Sequence, residues 1–300
     1  SPMSMNFHET YTSFYEEQKQ EMEKNLAPLG KNALTIGLEI HDLTMKHPTL
    51  THPFYEDFYN GKFSLLQLQQ FLVFYYQHIL HTRHYYQMMM AIATPLIVRG
   101  DFGREFHNNL MDIQSVFSLI NNDEYNDGEF ENTHMGMYEK LMAAFGIPVE
   151  ERLAKPVEEV KEYIAVHYGM SLDFYAGVGA VGPGSEWPDP PIFSYFLEVA
   201  GRIAEQNNIT LTEDDVNVLT GHIELDVHHA IWVIKHISRY DNNPDARENI
   251  MERRVVSLNT RYDMMSGIGN RVYGEEKYGK ITSLEMNKAY RNALNRVENY

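Results

Sequence analysis

Helical periodicity runs through nearly the whole 300-residue chain and constrains the fold more than any other feature of the sequence. Apolar and aromatic residues recur at steps of three and four, for example at Leu65, Leu68, Leu72 and Tyr76, and this spacing is typical of one face of an α-helix. Strand signals are weak, because no Asn-Gly or Asp-Gly pair lies between two alternating apolar runs. The sequence therefore predicts an all-α protein, a single-domain bundle of about seven to nine helices.

Periodicity, capping residues and breakers together place the individual helices. The predicted ranges are 11–25, 34–46, 64–90, 102–121, 132–145, 157–178, 192–207, 213–240, 244–265 and 283–297. Ser64 suits the N-cap of the helix over 64–90. Breakers cluster over 121–132 and 177–191, and we predict loops there.

No linker-like segment divides the chain, so we expect one catalytic unit with peripheral ends. We expect an N-terminal extension or helix over 1–30, a catalytic helical bundle over 31–270 and a peripheral C-terminal helix over 271–300.

Composition and charge exclude several functional classes. Forty-two acidic against 25 basic residues give a formal charge of −17, which disfavours nucleic acids and anionic membranes as partners. No apolar run approaches the roughly 20 residues of a membrane span, and the first residues lack the basic start and apolar core of a secretory signal, so we expect a cytoplasmic protein. The chain has no cysteine, so a metal site here would use imidazoles and carboxylates, which favour iron, manganese or zinc.

The strongest candidate site lies in the helix predicted over 213–240. At about 100° per residue, Asp226 lies about 40° to one side of His222 and His229 about 20° to the other. Two imidazoles and one carboxylate on one stripe can bind a divalent metal ion. Solvated polar residues on a wet helix face would be the alternative, but the flanking residues are apolar, and a buried ionisable stripe destabilises a fold unless it is paired.

A second candidate lies in the acidic stretch before the helix over 132–145, where His134 follows two carboxylates. Glu131 stands three residues before His134, the Glu-x-x-His spacing of carboxylate-bridged di-iron bundles. Glu124 stands ten residues before His134, at the end of the preceding helix. The stretch alone also fits a solvated acidic loop at a helix N-terminus, and the sequence leaves open which glutamate pairs with His134.

These patterns resemble the haem-oxygenase-like di-iron oxidases and oxygenases. His222-x3-Asp226-x2-His229 late in an all-helical chain carries the likeness, and the block from Asp123 to His134 supports it. The stretch Leu50-Thr51-His52-Pro53-Phe54 also resembles the opening of the wider superfamily, which includes the thiaminase-II and pyrroloquinoline-quinone synthase families. The likeness covers roughly residues 34–240.

The resemblance implies two iron ions as cofactors. It implies that Glu124, His134 and His222 bind one iron, and that Asp226 and His229 bind the second, with Glu124 able to bridge.

The resemblance implies one more ligand, a glutamate some thirty residues before His222. Glu186 is nearest by spacing, but it lies in a Gly-Ser-Glu-Trp-Pro sequence typical of a loop, whereas the family usually has a helical glutamate there. Glu198 is the alternative on a predicted helix.

The resemblance further implies an O2-dependent oxidase or oxygenase that acts on a small organic substrate. An amine, amino acid or fatty acid would undergo N-oxygenation, desaturation or oxidative C–C cleavage. A homodimer and an external electron donor are also expected. The alternative is a metal-free enzyme of cofactor metabolism with the same fold, similar to pyrroloquinoline-quinone synthase or the thiaminases, although thiaminase-like members usually depend on a cysteine.

A third stripe on the aromatic helix over 64–90 is formed by Gln77, His81 and His84. It repeats the i, i+4, i+7 spacing of His222, Asp226 and His229. We interpret it as a polar lining of the substrate pocket or as an acid–base relay. Histidines on an aromatic helix also occur as core residues bonded to a neighbouring carbonyl or tyrosine hydroxyl, and the sequence leaves both interpretations open.

Overall fold

A computed structural model describes residues 5–61, 63–101, 103–240 and 243–282 of the chain. The described residues form one helical domain without strands, as predicted. The helices are α1 (Phe7–Leu26), α2 (Lys31–Met45), α3 (Pro53–Tyr59), α4 (Leu65–Ile79), α5 (Thr82–Arg99), α6 (Arg104–Tyr125), α7 (His134–Ala144), α8 (Val149–Arg152), α9 (Glu158–Ser171), α10 (Phe174–Val181), α11 (Asp189–Gln206), α12 (Asn217–Ile237) and α13 (Pro244–Tyr273). Among the described residues, no helix combines the length and the apolar character needed to cross a membrane.

Eleven of the described helices have eight or more residues, where the sequence predicts seven to nine. The extra helices arise because two long predicted helices are broken. The prediction over 64–90 becomes α4 and α5, which are separated by a turn at Leu80 and His81. The apolar pattern continues across this turn, so periodicity cannot reveal it, but α4 packs on α7, α9 and α13 whereas α5 packs mainly on α6.

Capping side chains fix the starts of several helices. Ser64 is the N-cap of α4 as predicted: its hydroxyl accepts from the backbone N–H of Gln67, whose side chain accepts from the Ser64 N–H. The predicted helix over 157–178 divides into α9 and α10 because Asp173 caps α10 by accepting from the Ala176 N–H at 2.9 Å.

The predicted loop over 177–191 is wrong, because this segment is almost continuously helical and buried. Gly182–Glu186 forms a π-helical turn that leads from α10 into α11. Pro190 and Pro191 lie in the first turn of α11, where the missing N–H groups have no intrahelical acceptor in any case. The lack of a side chain at Gly184 allows close packing, because a Cβ there would lie 2.6 Å from the Ser257 side chain.

The bundle is held by long helix pairs, notably α10 with α13, α11 with α12, and α5 with α6. At the N-terminal end, α1 packs on α2, and Gln18 donates to the Trp187 carbonyl at 2.8 Å. At the other end, α13 runs beyond its predicted end at residue 265 to Tyr273. The helix predicted over 283–297 lies outside the described residues.

Candidate metal centre

Three helices bring the first group of metal-ligating side chains together. Glu124 lies in the last turn of α6, His134 is the first residue of α7, and His222 is on α12. The Glu124 Oε2 and His134 Nδ1 atoms are 3.0 Å apart, and the rings of His134 and His222 lie 4.9 Å apart. One ligand atom from each residue lies within 4.8 Å of the others, and all three residues are buried.

The orientation of His222 is fixed by a backbone contact. Its Nδ1 donates to the Val218 carbonyl oxygen at 2.6 Å, and its ring stacks on Phe193 at a centroid distance of 4.4 Å. The lone pair of the neutral ring is therefore on Nε2. A ligating histidine in proteins commonly has its other nitrogen bonded in this way.

The second group consists of Glu186 from the π-helical turn and of Asp226 and His229 from α12. His229 Nδ1 lies 3.4 Å from Glu186 Oε2 and 3.7 Å from Asp226 Oδ1. The other ring nitrogen, Nε2, contacts Asp123 Oδ2 at 2.7 Å. Tyr86 donates its hydroxyl proton to Glu186 Oε1.

Three atoms that face into these groups are buried without a hydrogen-bond partner: His134 Nδ1, Glu186 Oε2 and His229 Nδ1. His134 Nδ1 lies close to Glu124, but the contact does not have the geometry of a hydrogen bond. Each unsatisfied buried polar atom destabilises a fold by about 1–3 kcal/mol. Cations would remove this penalty, and the set of three imidazoles and three carboxylates suits iron. The residues present therefore fit a pair of iron ions.

Electrostatics couple the members of the first group. Burial by itself raises the pKa of Glu124, but the imidazoles of His134, His222 and His229 outweigh burial and lower the pKa to about 2. Burial lowers the pKa of His134, and the Glu124 carboxylate outweighs that effect and raises it. His222 has no comparable partner, so burial, reinforced by His134, lowers its pKa.

In the second group, burial lowers the pKa of His229, but Glu186 and Asp123 outweigh it and raise the pKa to about 9. Burial raises the pKa of Asp226 well above its usual range, and the neighbouring Glu186 and Asp189 carboxylates add to this. The raised pKa values of His229 and Asp226 favour their protonated forms, and a metal ion that bound here would displace these protons.

The sequence leaves open which glutamate lies near His134 and which lies near Asp226 and His229, and the structure shows both. Glu124, and not the exposed Glu131, lies against His134. Glu186, and not Glu198, lies against Asp226 and His229. Glu198 instead contacts Arg202 at 3.4 Å on a partly exposed face of α11.

Sequence reasoning missed two residues that contact these groups, Asp123 and Tyr86. Asp123 is adjacent to Glu124 and belongs to the acidic block, which is a weak signal for its role. Tyr86 is 100 residues from Glu186 in the chain, and nothing in the local sequence connects them.

A small cavity of about 20 Å³ adjoins both groups. The metal-ligating candidates line it together with residues of α4, α5, α9, α11, α13 and the π-helical turn. The lining residues are Tyr75, His78, Ile79, Thr82, Tyr85, Glu124, Tyr163, Ser185, Glu186, Asp189, Phe193, His222, Asp226 and Arg261. We call it the ligand cavity.

The predicted pocket stripe is offset from this cavity. Gln77, His81 and His84 are not among its lining residues in the described part of the chain. Gln77 accepts from the Val157 N–H at 2.9 Å, and both histidines contact the Tyr168 hydroxyl, at 2.7 and 3.2 Å. The adjacent residues His78, Thr82 and Tyr85, which have the same spacing, face the cavity instead, so the predicted stripe is wrong by one position.

Comparisons with known proteins agree with the fold and with iron. A family model described as an iron-containing redox enzyme matches residues 69–262, which include all six metal-ligating candidates. Curated proteins yield no match to the sequence.

Two solved structures share the fold at low sequence identity. One is a TenA homologue from Pseudomonas syringae pv. tomato, with a TM-score of 0.57 and 13% identity, covering 82% of this chain and 90% of that one. The other is a domain of unknown function with a haem oxygenase-like fold from Shewanella denitrificans, with a TM-score of 0.56 and 15% identity, covering 83% of this chain and 97% of that one. The fold is therefore haem oxygenase-like, as predicted.

Proposed function

Because the chain belongs to the iron-containing redox enzyme family, we propose that it is a non-haem di-iron oxidase or oxygenase that uses O2. The observation that carries this proposal is the pair of buried groups Glu124/His134/His222 and Glu186/Asp226/His229, whose unsatisfied atoms face inward. Each group would hold one iron. The role of Glu124 as a bridge between them rests on the resemblance alone.

Two Fe(II) ions bound by this mixture of imidazole and carboxylate would supply the electrons that reduce O2. The protein orients the ligands. Asp123 bonds to His229 Nε2 and so turns Nδ1 toward Glu186. The Val218 carbonyl accepts from His222 Nδ1 and so leaves Nε2 as the ligating atom. Tyr86 fixes one oxygen of Glu186 and leaves the other free.

The chain also excludes bulk water from the centre. Phe193 covers His222, Trp232 lies 5.6 Å from the His229 ring, and Trp187, next to Glu186, is fully buried. The exclusion of bulk water strengthens each interaction between ligand and cation. The substrate we propose is a small organic molecule, namely an amino acid, amine or fatty acid. A homodimer, an external electron donor and a cytoplasmic location remain predictions.

The second candidate is a metal-free enzyme of cofactor metabolism, in keeping with the fold that the chain shares with a TenA homologue. The lack of a cysteine disfavours a thiaminase-like reaction. The inward-facing unsatisfied atoms favour the di-iron proposal, because a metal-free enzyme would leave them without a partner.

Iron stoichiometry tests the proposal directly. The full chain is titrated with Fe(II) under argon and the bound iron is measured after dialysis. We expect about two irons per chain, and about one in His134→Ala and in His229→Ala, because each variant disrupts only one group. Glu198→Gln is the matched control and should keep both irons.

The loaded protein is then mixed with O2 in the presence of amino acids, amines or fatty acids. Visible absorption that changes only with one substrate class would identify that class. Absence of iron binding, or an unchanged stoichiometry in both histidine variants, would refute the di-iron proposal and favour the metal-free candidate.

A further inference from the structure

Both tryptophans of the chain lie next to the second group of metal-ligating side chains. Trp187 directly follows Glu186 and is fully buried. Trp232 is partly exposed and lies 5.6 Å from the ring of His229. Indole loses one electron more readily than the other aromatic side chains, so both tryptophans lie close to the place where O2 would be reduced. Their surroundings differ, and those of Trp187 indicate a function.

A line of rings leads from Trp187 to the protein surface. The ring of Trp187 lies 5.8 Å from the ring of His41 on α2, and His41 lies 4.6 Å from the ring of Tyr15 on α1. His41 is buried, whereas Tyr15 is partly exposed. Ring contacts alone do not identify an electron path in this protein, because aromatic residues pack together throughout its core.

Each oxidisable ring in this line also has a base at its acidic proton. The indole Nε1–H of Trp187 donates to His41 Nδ1 at 3.2 Å, and the hydroxyl of Tyr15 donates to Asp42 Oδ1 at 2.5 Å. An indole or phenol that loses an electron becomes a strong acid, and a base within hydrogen-bond reach takes its proton. Burial lowers the pKa of His41 to about 4, so the ring is neutral and can accept. The Asp42 side chain is 44% exposed and exchanges its proton with solvent.

Two other oxidisable rings near the metal centre lack this arrangement. Tyr86 donates to Glu186, and its ring contacts Phe117 at 5.2 Å, a side chain that is hard to oxidise. No protein group among the described residues accepts from the indole N–H of Trp232. The line through His41 is therefore the path that provides for both the electron and the proton.

We propose that Trp187, His41 and Tyr15 conduct oxidising equivalents from the iron centre to the surface when O2 reacts there without substrate. Trp187 gives up one electron, and its Nε1 proton moves to His41. Tyr15 then reduces Trp187, which recovers its proton from His41, while the Tyr15 proton moves to Asp42. A one-electron reductant in the solvent, such as ascorbate, reduces Tyr15, and Asp42 returns the proton. Each cycle passes one electron from the reductant to the centre and leaves the protein unchanged.

This inference deepens the proposed function, on which it rests, and a flash experiment tests the path without iron. The metal-free full chain carries Trp232→Phe, so that Trp187 is its sole tryptophan. An intense flash at a wavelength that tryptophan absorbs and tyrosine does not ejects an electron from Trp187, and a scavenger removes that electron. We expect the transient absorption of the tryptophan radical to decay as that of a tyrosine radical forms.

Adding Tyr15→Phe should abolish this conversion, because phenylalanine does not reduce an indole radical. The change keeps the ring and removes one partly exposed hydroxyl, so it preserves the fold. Tyr175→Phe is the matched control, since Tyr175 is also partly exposed but its ring contacts Tyr240 instead of this line. The control should convert as the background does. A conversion that is absent from the background, or that persists after Tyr15→Phe, would overturn the path.

Iron-loaded protein tests the use of the path. The Fe(II)-loaded full chain is exposed to repeated additions of O2 with ascorbate and no organic substrate, and oxidised residues are located by peptide mass spectrometry. Tyr15→Phe should accumulate oxidised Trp187 and lose bound iron, whereas the parent and Tyr175→Phe should stay intact. Equal damage in the parent and Tyr15→Phe would overturn the protective role. If no iron binds, the di-iron proposal fails while the flash experiment still decides the path; if iron binds and the conversion ignores Tyr15, the path alone fails.

Discussion

His52 makes the stability of this protein depend on pH in a way that the structure quantifies. Its Nδ1 accepts from the Phe54 N–H at 2.9 Å, and its Nε2 contacts the Ser266 hydroxyl at 2.7 Å. Ser266 donates its own proton to the Gly279 carbonyl at 2.7 Å, so the Nε2–H of His52 is the donor. A neutral ring satisfies both contacts, whereas a proton on Nδ1 would face another N–H group.

Burial lowers the pKa of His52 to about 3, although a backbone contact at Tyr262 opposes this. The unfolded chain therefore binds more protons than the folded protein between about pH 3 and pH 6.5, so the free energy of unfolding rises with pH in this window. The contribution of His52 to the free energy of unfolding is complete above the pKa of the unfolded histidine, about 6.5, and is lost as the pH falls below that pKa. Between about pH 7.5 and pH 5 the loss is about 2 kcal/mol, a large share of a typical stability of about 5–15 kcal/mol.

The assay is urea unfolding of the protein at these two pH values, with a chelator present so that metal binding does not contribute. His52→Asn removes the titrating group and keeps an N-cap acceptor for α3. We expect the unfolding free energy of the parent to fall by about 2 kcal/mol more than that of the variant. Ser266→Ala is the control, since it removes a contact but keeps the imidazole, and it should retain the pH dependence of the parent. If His52→Asn shows the same pH dependence as the parent, the linkage argument is refuted.

Three further predictions concern packing, capping and ligand orientation. Gly179→Ala should lower the unfolding free energy by about 1–3 kcal/mol, because a Cβ would overlap the Ile250 carbonyl of α13; Gly201→Ala, which meets open space on α11, should instead raise it by about 0.5–1 kcal/mol in the same urea titration. Ser64→Ala should cost about 1 kcal/mol through loss of the α4 cap, with the denaturant m-value unchanged. Asp123→Asn should weaken iron binding about 10- to 100-fold in a chelator competition without changing the stoichiometry, and a lost equivalent of iron would contradict its assigned role.

The sequence predicts the helical class because each helix carries its own apolar stripe, which is local information. It fails where the stripe continues but the chain turns, as at Leu80 and His81, because that turn follows from the different packing partners of α4 and α5. Spacing also cannot distinguish Gln77, His81 and His84 from the adjacent His78, Thr82 and Tyr85, which line the cavity, because both sets repeat at the same steps.

The candidate site shows the same division between local and tertiary information. His222, Asp226 and His229 lie on one stripe of one helix, so their spacing alone indicates that they point in a similar direction. Glu186 and Tyr86 come from segments 36 or more residues away from His222, and their proximity depends on how α5 packs on α6 and α10 and how the segment after α10 packs on α12. Spacing could not show that a glutamate in a Gly- and Pro-rich segment is buried.

The π-helical turn over Gly182–Glu186 explains why the residues that suggested a loop are the ones the site requires. The Trp187 N–H bonds to the Gly182 carbonyl at 3.0 Å, five residues back, so the turn contains one more residue than an α-helical turn. The extra residue rotates the following side chains by about 100° relative to a regular helix, which allows Glu186 to face His229. A side chain at Gly182 would overlap Val233 of α12, so the glycine allows the close approach that this contact needs. Local propensity and tertiary packing therefore conflict at this turn, as they often do where a π-turn serves a functional site.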